Sequence, residues 1–133
     1  MKYLALIYSD ESVWESMSDA ARSAAYEQYM AFSKEGREAG VVIGGDELAA
    51  VTTATTVRVR EGQTEVTDGP YAETKEGLGG YYLLECSSLD EALDWAAKIP
   101  GANYGAIEVR QVHVDEEYSS EATLARNREE VAS

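Results

Sequence analysis

Apolar side chains in this chain fall into short runs separated by polar clusters, and their periods alternate between two and about three and a half. Residues Tyr3 to Tyr8 form a near-continuous apolar run closed by Ser9-Asp10-Glu11-Ser12, which predicts a strand covered on both faces. Ser16 to Asp19 supplies helix-starting side chains, and Ala21, Ala24, Ala25, Tyr29 and Phe32 then recur at helical spacing up to Gly40, predicting one long helix. Val41 to Ile43 reads as a short strand stopped by Gly44-Gly45. A polar connection through Asp46 and Glu47 follows, and Thr52 to Thr56 reads as loop or edge strand. Val57-Arg58-Val59-Arg60 and Thr64-Glu65-Val66-Thr67 alternate around Glu61-Gly62-Gln63, which is a hairpin pattern with a polar outer face.

Asp68-Gly69-Pro70-Tyr71 is a turn-rich break, and Ala72 to Glu76 leads to Gly79-Gly80. Tyr81 to Cys86 is a second strand with apolar residues on both faces. Ser88-Leu89-Asp90-Glu91 fits a capping box, Leu89, Ala92, Leu93 and Ala96 form an apolar stripe, and Pro100-Gly101 ends that helix. Ala106 to Val114 predicts the last strand, with Ile107 and Val109 on one face and Glu108, Arg110 and Val112 on the other. Asp115 to Ser133 is acidic and has little to pack, so a loose tail or an exposed helix around Leu124 is expected.

The order strand, helix, strand, hairpin, strand, helix, strand is that of an α+β ferredoxin-like β-α-β-β-α-β domain with an inserted β-hairpin, spanning residues 1–114 and followed by the tail 115–133. Two helices cover one face of such a sheet. The strands that are apolar on both sides therefore predict a second copy against the other face, a two-fold homodimer.

Composition narrows the chemistry. The 133 residues suit one domain; 25 acidic against 11 basic residues give a net charge of −14, which argues against nucleic acid or an anionic membrane as partner. One cysteine excludes an internal disulfide framework and a multi-cysteine metal site. One histidine makes any nucleophile–histidine device depend on His113 and excludes a multi-histidine metal site within the chain. Gly79-Gly80 precedes a strand rather than a helix, so it is no phosphate cradle, and no cofactor or metal is expected. The opening apolar run is too short for a signal peptide or a membrane span, which predicts a cytoplasmic protein.

Val57-Arg58-Val59-Arg60, Thr67-Asp68-Gly69-Pro70-Tyr71-Ala72-Glu73-Thr74-Lys75-Glu76 and Leu78-Gly79-Gly80-Tyr81-Tyr82-Leu83-Leu84 resemble the YCII-related family, in particular its DGPF-type branch, with Tyr71 where that branch has Phe. Gly44 to Leu48, Ser88 to Leu93 and Ile107 to Val112 extend the likeness over residues 1 to 114. The resemblance implies pairing into a dimeric α+β barrel. It also implies a small-molecule pocket with a His-Asp pair, of which the histidine position falls near Ala25 here and the aspartate matches Asp68. The histidine half is therefore missing. DGPF-type proteins are associated with extracytoplasmic-function sigma factors, which gives the alternative expectation of a non-catalytic regulatory protein.

Asp68 is the candidate acid or base: at the mouth of a barrel-side pocket its carboxyl would be desolvated, whereas in its own turn it would accept backbone N–H bonds. Chemistry of that kind would be cofactor-free proton transfer, of lyase or isomerase type, rather than hydrolysis. Tyr71 and Tyr81 are expected to shape the pocket, or else simply to pack; Lys75 and Glu73 to hold substrate groups, or else to form surface pairs. Glu108 and Arg110 face the proposed dimer interior, paired with each other or with Asp68 or Glu73, or holding a carboxylate ligand.

Overall fold

A computed structural model describes residues 1–113. The acidic tail and the end of the last expected strand, at Val114, lie outside them. Strand β1 (Lys2–Ser9) is followed by helices α1 (Glu11–Ser16) and α2 (Asp19–Glu38), strand β2 (Val42–Glu47), the hairpin β3 (Thr55–Arg60) and β4 (Gln63–Asp68), strand β5 (Gly77–Glu85), helix α3 (Leu89–Ala96) and strand β6 (Ala106–Gln111). Single 3-10 turns at Val51–Thr53 and Pro100–Asn103 complete the described residues.

The main sheet is antiparallel with order β2-β5-β1-β6, so the α+β ferredoxin-like arrangement with an extra hairpin holds. Register assigns the faces. Tyr3 stands opposite Leu84, Ala5 opposite Tyr82 and Val109, and Ile7 opposite Ile107. These side chains meet Phe32, Ala92, Ala96 and Ile99 in the core beneath α2 and α3. On the other face Leu4 pairs with Leu83 and Arg110, and Leu6 with Tyr81 and Glu108. No described helix covers that face, and its apolar side chains are only half-buried.

Several expectations need correcting. The long helix expected from Ser16–Asp19 to Gly40 is α2, with Ser18 capping it by accepting from the Ala21 N–H, but a short helix not expected from the sequence, α1, precedes it: Asp10 caps α1 by accepting from the Ser12 N–H, and Met17 turns extended between the two. Strand β2 runs through Gly44-Gly45 instead of stopping there, and β5 begins at Gly77, four residues before the expected Tyr81. The hairpin turn has two residues, Glu61 and Gly62, both with positive φ, as the right-handed twist of the strands requires. In α3, Ala92 and Ala96 reach the core while Leu89 and Leu93 stay half-exposed. Ser88 caps α3 through the Glu91 N–H, but the Glu91 carboxylate accepts from Ser87, one residue earlier than a regular capping box.

Candidate functional site

Between α1, α2 and the β2–β5 edge of the sheet lies a cavity of about 420 Å³, within the range of small-molecule sites. Its position follows from the sequence of α2. Ala25, Phe32 and Gly36 turn inward, so Tyr26, Ser33 and Arg37, each one residue beyond a member of that stripe, run along the cavity side, and Tyr29 of the stripe itself reaches from the core edge into it. The floor is Ile7 of β1 with Gly80 and Tyr82 of β5; the far wall is Gly45 to Leu48. Trp14 of α1 and Tyr104 close one end, with the Trp14 and Tyr26 rings edge to face at 5.2 Å.

Gly45 makes the wall possible. Its φ is 153°, and a Cβ there would stand 2.6 Å from the Tyr81 carbonyl oxygen and 2.8 Å from the Tyr82 ring. A larger residue would push β2 off β5 and close the cavity from the side.

The polar atoms of the lining are tyrosine hydroxyls and carboxylates. Within the cavity the Tyr26 hydroxyl donates to Glu47 Oε1 at 3.5 Å, whereas the Tyr81 hydroxyl donates to Asp46 Oδ2 at 2.8 Å on the opposite, open face of the sheet, where the two stand across β5 and β2. Tyr82 and Ser33 share a hydrogen bond of 3.0 Å. Glu11 accepts from the Val51 N–H at 2.7 Å, fixing the segment between β2 and β3. Burial first, then the nearby Tyr104 hydroxyl, pushes Tyr29 up to about 12, with Tyr82 and Glu47 adding to it against the Gly101 amide. The hydrogen bond to Asp46, and then its charge, raises Tyr81 above the usual phenol range. Both phenols stay neutral at physiological pH, so they donate hydrogen bonds rather than act as bases.

Of the residues singled out from sequence, Tyr81 alone borders the cavity, and its ring is turned away from it onto the open face; Asp68, Tyr71, Glu73, Lys75, Glu108 and Arg110 do not border it. The cavity lies on the helix side of the sheet, not on the open face, because α2 supplies its roof. Asp68 is the exposed last residue of β4, opposite Thr55. Its turn is closed by the Thr56 hydroxyl donating to the Gly69 carbonyl at 2.8 Å and by the Gly69 N–H donating to the Ala54 carbonyl at 2.7 Å. Tyr71 is 76% exposed, with the Arg58 guanidinium 4.9 Å from its ring centroid. Glu73 and Lys75 are exposed in the segment joining β4 to β5. Glu108 and Arg110 stand on the open sheet face as expected, exposed, and neither is in an ion pair among the described residues.

Ala25, near the expected histidine position, is buried in α2, and His113 is exposed beyond β6. Among the described residues no three His, Cys, Asp or Glu side chains converge to hold a metal ion. Cys86 is buried, and burial, with Glu91 adding, pushes its thiol up. No described helix is long and apolar enough to cross a membrane.

Glu47, Trp14 and Ser33 were not legible as site residues. Glu47 looks like part of a polar connection after Gly44-Gly45, and only the continuation of β2 beside β5, which sets it opposite Gly80, gives it a cavity to face. One signal was available: Tyr26 places an aromatic ring beside the core stripe of Ala25, Tyr29 and Phe32.

The family model for the YCII-related domain matches residues 1–114. The "Uncharacterized protein R00369" of Rhizobium meliloti (strain 1021) is 43% identical over 112 residues, covering 83% of this chain and 90% of that relative. Among solved structures, 5-chloro-2-hydroxyhydroquinone dehydrochlorinase (TftG) from Burkholderia phenoliruptrix AC1100, in complex with 2,5-dihydroxybenzoquinone, superposes with a TM-score of 0.51. The superposition covers 88% of this chain and 98% of that one at 15% identity, a likeness of fold alone.

Proposed function

We propose, for a chain that belongs to the YCII-related domain family, that it binds a small, flat molecule in the cavity between α2 and the β2–β5 edge. The observation that carries this is the cavity itself: about 420 Å³, walled by aromatic rings, with a few fixed polar groups at Glu47, Tyr82 and Ser33. That a protein of this fold is seen with a dihydroxybenzoquinone supports a ligand of similar size. Binding fits the lining better than proton transfer does, because the raised Tyr29 phenol holds its proton and no described histidine lies beside it. A thermal-shift screen of small metabolites tests it against the cavity-filling variant Ser33→Phe. Compounds that stabilise the wild type are expected to lose their effect in the variant. Equal stabilisation of both proteins would place the ligand elsewhere.

The working unit in this reading is a homodimer. The open sheet face carries Leu4, Leu6 and Leu83, and Val57, Val59 and Val66 share one face of the hairpin at 59%, 67% and 63% exposure. The hairpin stands away from the main sheet, free to reach across a second copy. Glu108 and Arg110 occur two residues apart on that face, so a two-fold axis can set Glu108 of one copy against Arg110 of the other.

A further inference from the structure

Charge within the cavity restricts what it admits. Three carboxylates line it, those of Glu11, Glu15 and Glu47, against the single cation Arg37, the Asp46 carboxylate being turned to the open face with Tyr81. Arg37 lies eleven residues along α2 from Tyr26, roughly 16 Å at the helical rise, which exceeds the screening length of about 8 Å at physiological salt. The Tyr26–Glu47 end therefore keeps its negative charge. The hydroxyl of Tyr26, a donor that would otherwise greet an anion, is directed at Glu47. Tyr26 donates to Glu47 and Tyr29 lies near enough to feel its charge, while Trp14 and Tyr104 line the same cavity, so a cation beside Glu47 would meet aromatic rings that attract it. Trp14 already holds one, the Arg22 guanidinium, 5.9 Å from its ring centroid. The neutrality of Tyr29 keeps a further negative charge from forming inside the wall without removing its ring from the cage.

We infer that the cavity selects aromatic amines, compounds with an aryl ring joined to a cationic nitrogen by a short chain, with the ammonium held by Glu47 among these rings and the aryl group lying toward Tyr82. The inference rests on the cavity being a small-molecule site and adds the sign of the ligand's charge. Carboxylates and phenolates of the same size are excluded by like charge, and the −14 net charge of the chain steers cations toward it.

Three probes of matched size separate the cases: 2-phenylethylammonium, 2-phenylethanol and phenylacetate, titrated calorimetrically at low ionic strength into the wild type and into Glu47→Gln. The ammonium is expected to bind about tenfold more tightly than the alcohol, and phenylacetate not measurably, with the ratio falling toward one in Glu47→Gln while the alcohol is unaffected. Phenylacetate binding as well as the ammonium overturns the inference and leaves the cavity reading standing. Binding by none of the three also overturns it, the cavity reading then being judged by the Ser33→Phe comparison. Undiminished selectivity in Glu47→Gln overturns the assignment of that carboxylate.

Discussion

Tyr29 and Tyr81 are both raised phenols but for different reasons, and the difference is measurable. Tyr29 is raised chiefly by burial and Tyr81 by its bond to Asp46. A group with a raised folded pKa lends stability that is complete below its unfolded value near 10 and lost as pH climbs toward the folded one. Stability should therefore fall between pH 10 and about 12, and Tyr29→Phe should flatten that fall; an unchanged alkaline limb in the variant would contradict the burial of Tyr29. Gly45→Ala places a Cβ 2.6 Å from the Tyr81 carbonyl oxygen, and a loss of about 1–3 kcal/mol in denaturant unfolding is expected. Asp68→Asn alters an exposed carboxylate outside the cavity, so ligand binding and melting temperature should both stay as in the wild type, the latter within about 0.5 kcal/mol of stability. Asp68 stood out in the sequence because Asp-Gly-Pro is a conspicuous turn. Asp46 did not, because its role depends on pairing with a strand thirty-five residues away.

At the scale of elements, the sequence was most informative where one period ran undisturbed. Strand β1, the body of α2, the hairpin and α3 were all legible because local alternation or a cap marks them. What was not legible depended on tertiary pairing. The glycines of β2 look like a stop, yet β5 draws them into the sheet; α1 was missed because six residues with Ser and Glu among them carry too short a stripe to mark a helix. Caps supply a test. Ser88→Ala removes the acceptor for the Glu91 N–H and should cost about 1 kcal/mol in denaturant unfolding. The carboxyls of Asp10 and Glu91 are held below their ordinary values of 3.8 and 4.5 by bonds from Ser12 and Ser87. What they contribute is present above those values and lost as pH falls through them, so acid should fray α1 and the start of α3 first, as amide exchange would show.

For the whole molecule, strands apolar on both faces led to the expectation of a second copy, and the structure leaves the face of Leu4, Leu6 and Leu83 without a described helix over it. Sedimentation equilibrium should give twice the 14.5 kDa chain mass, and Leu6→Lys should shift it toward the single chain without unfolding it. The fold class was readable from element order, but the side of the sheet that holds the cavity was not. Element order says which strands pair, whereas the cavity arises from the offset of Tyr26 and Ser33 against the core stripe of α2, a matter of packing. The most direct measurement of the central claim is chemical-shift mapping of the labelled protein with a compound that raises its melting temperature. Perturbations are expected to gather at Tyr29, Ser33, Glu47 and Tyr82; perturbations gathered instead at Asp68 to Lys75, or on the face of Leu4, Leu6 and Tyr81, would contradict a ligand in the cavity.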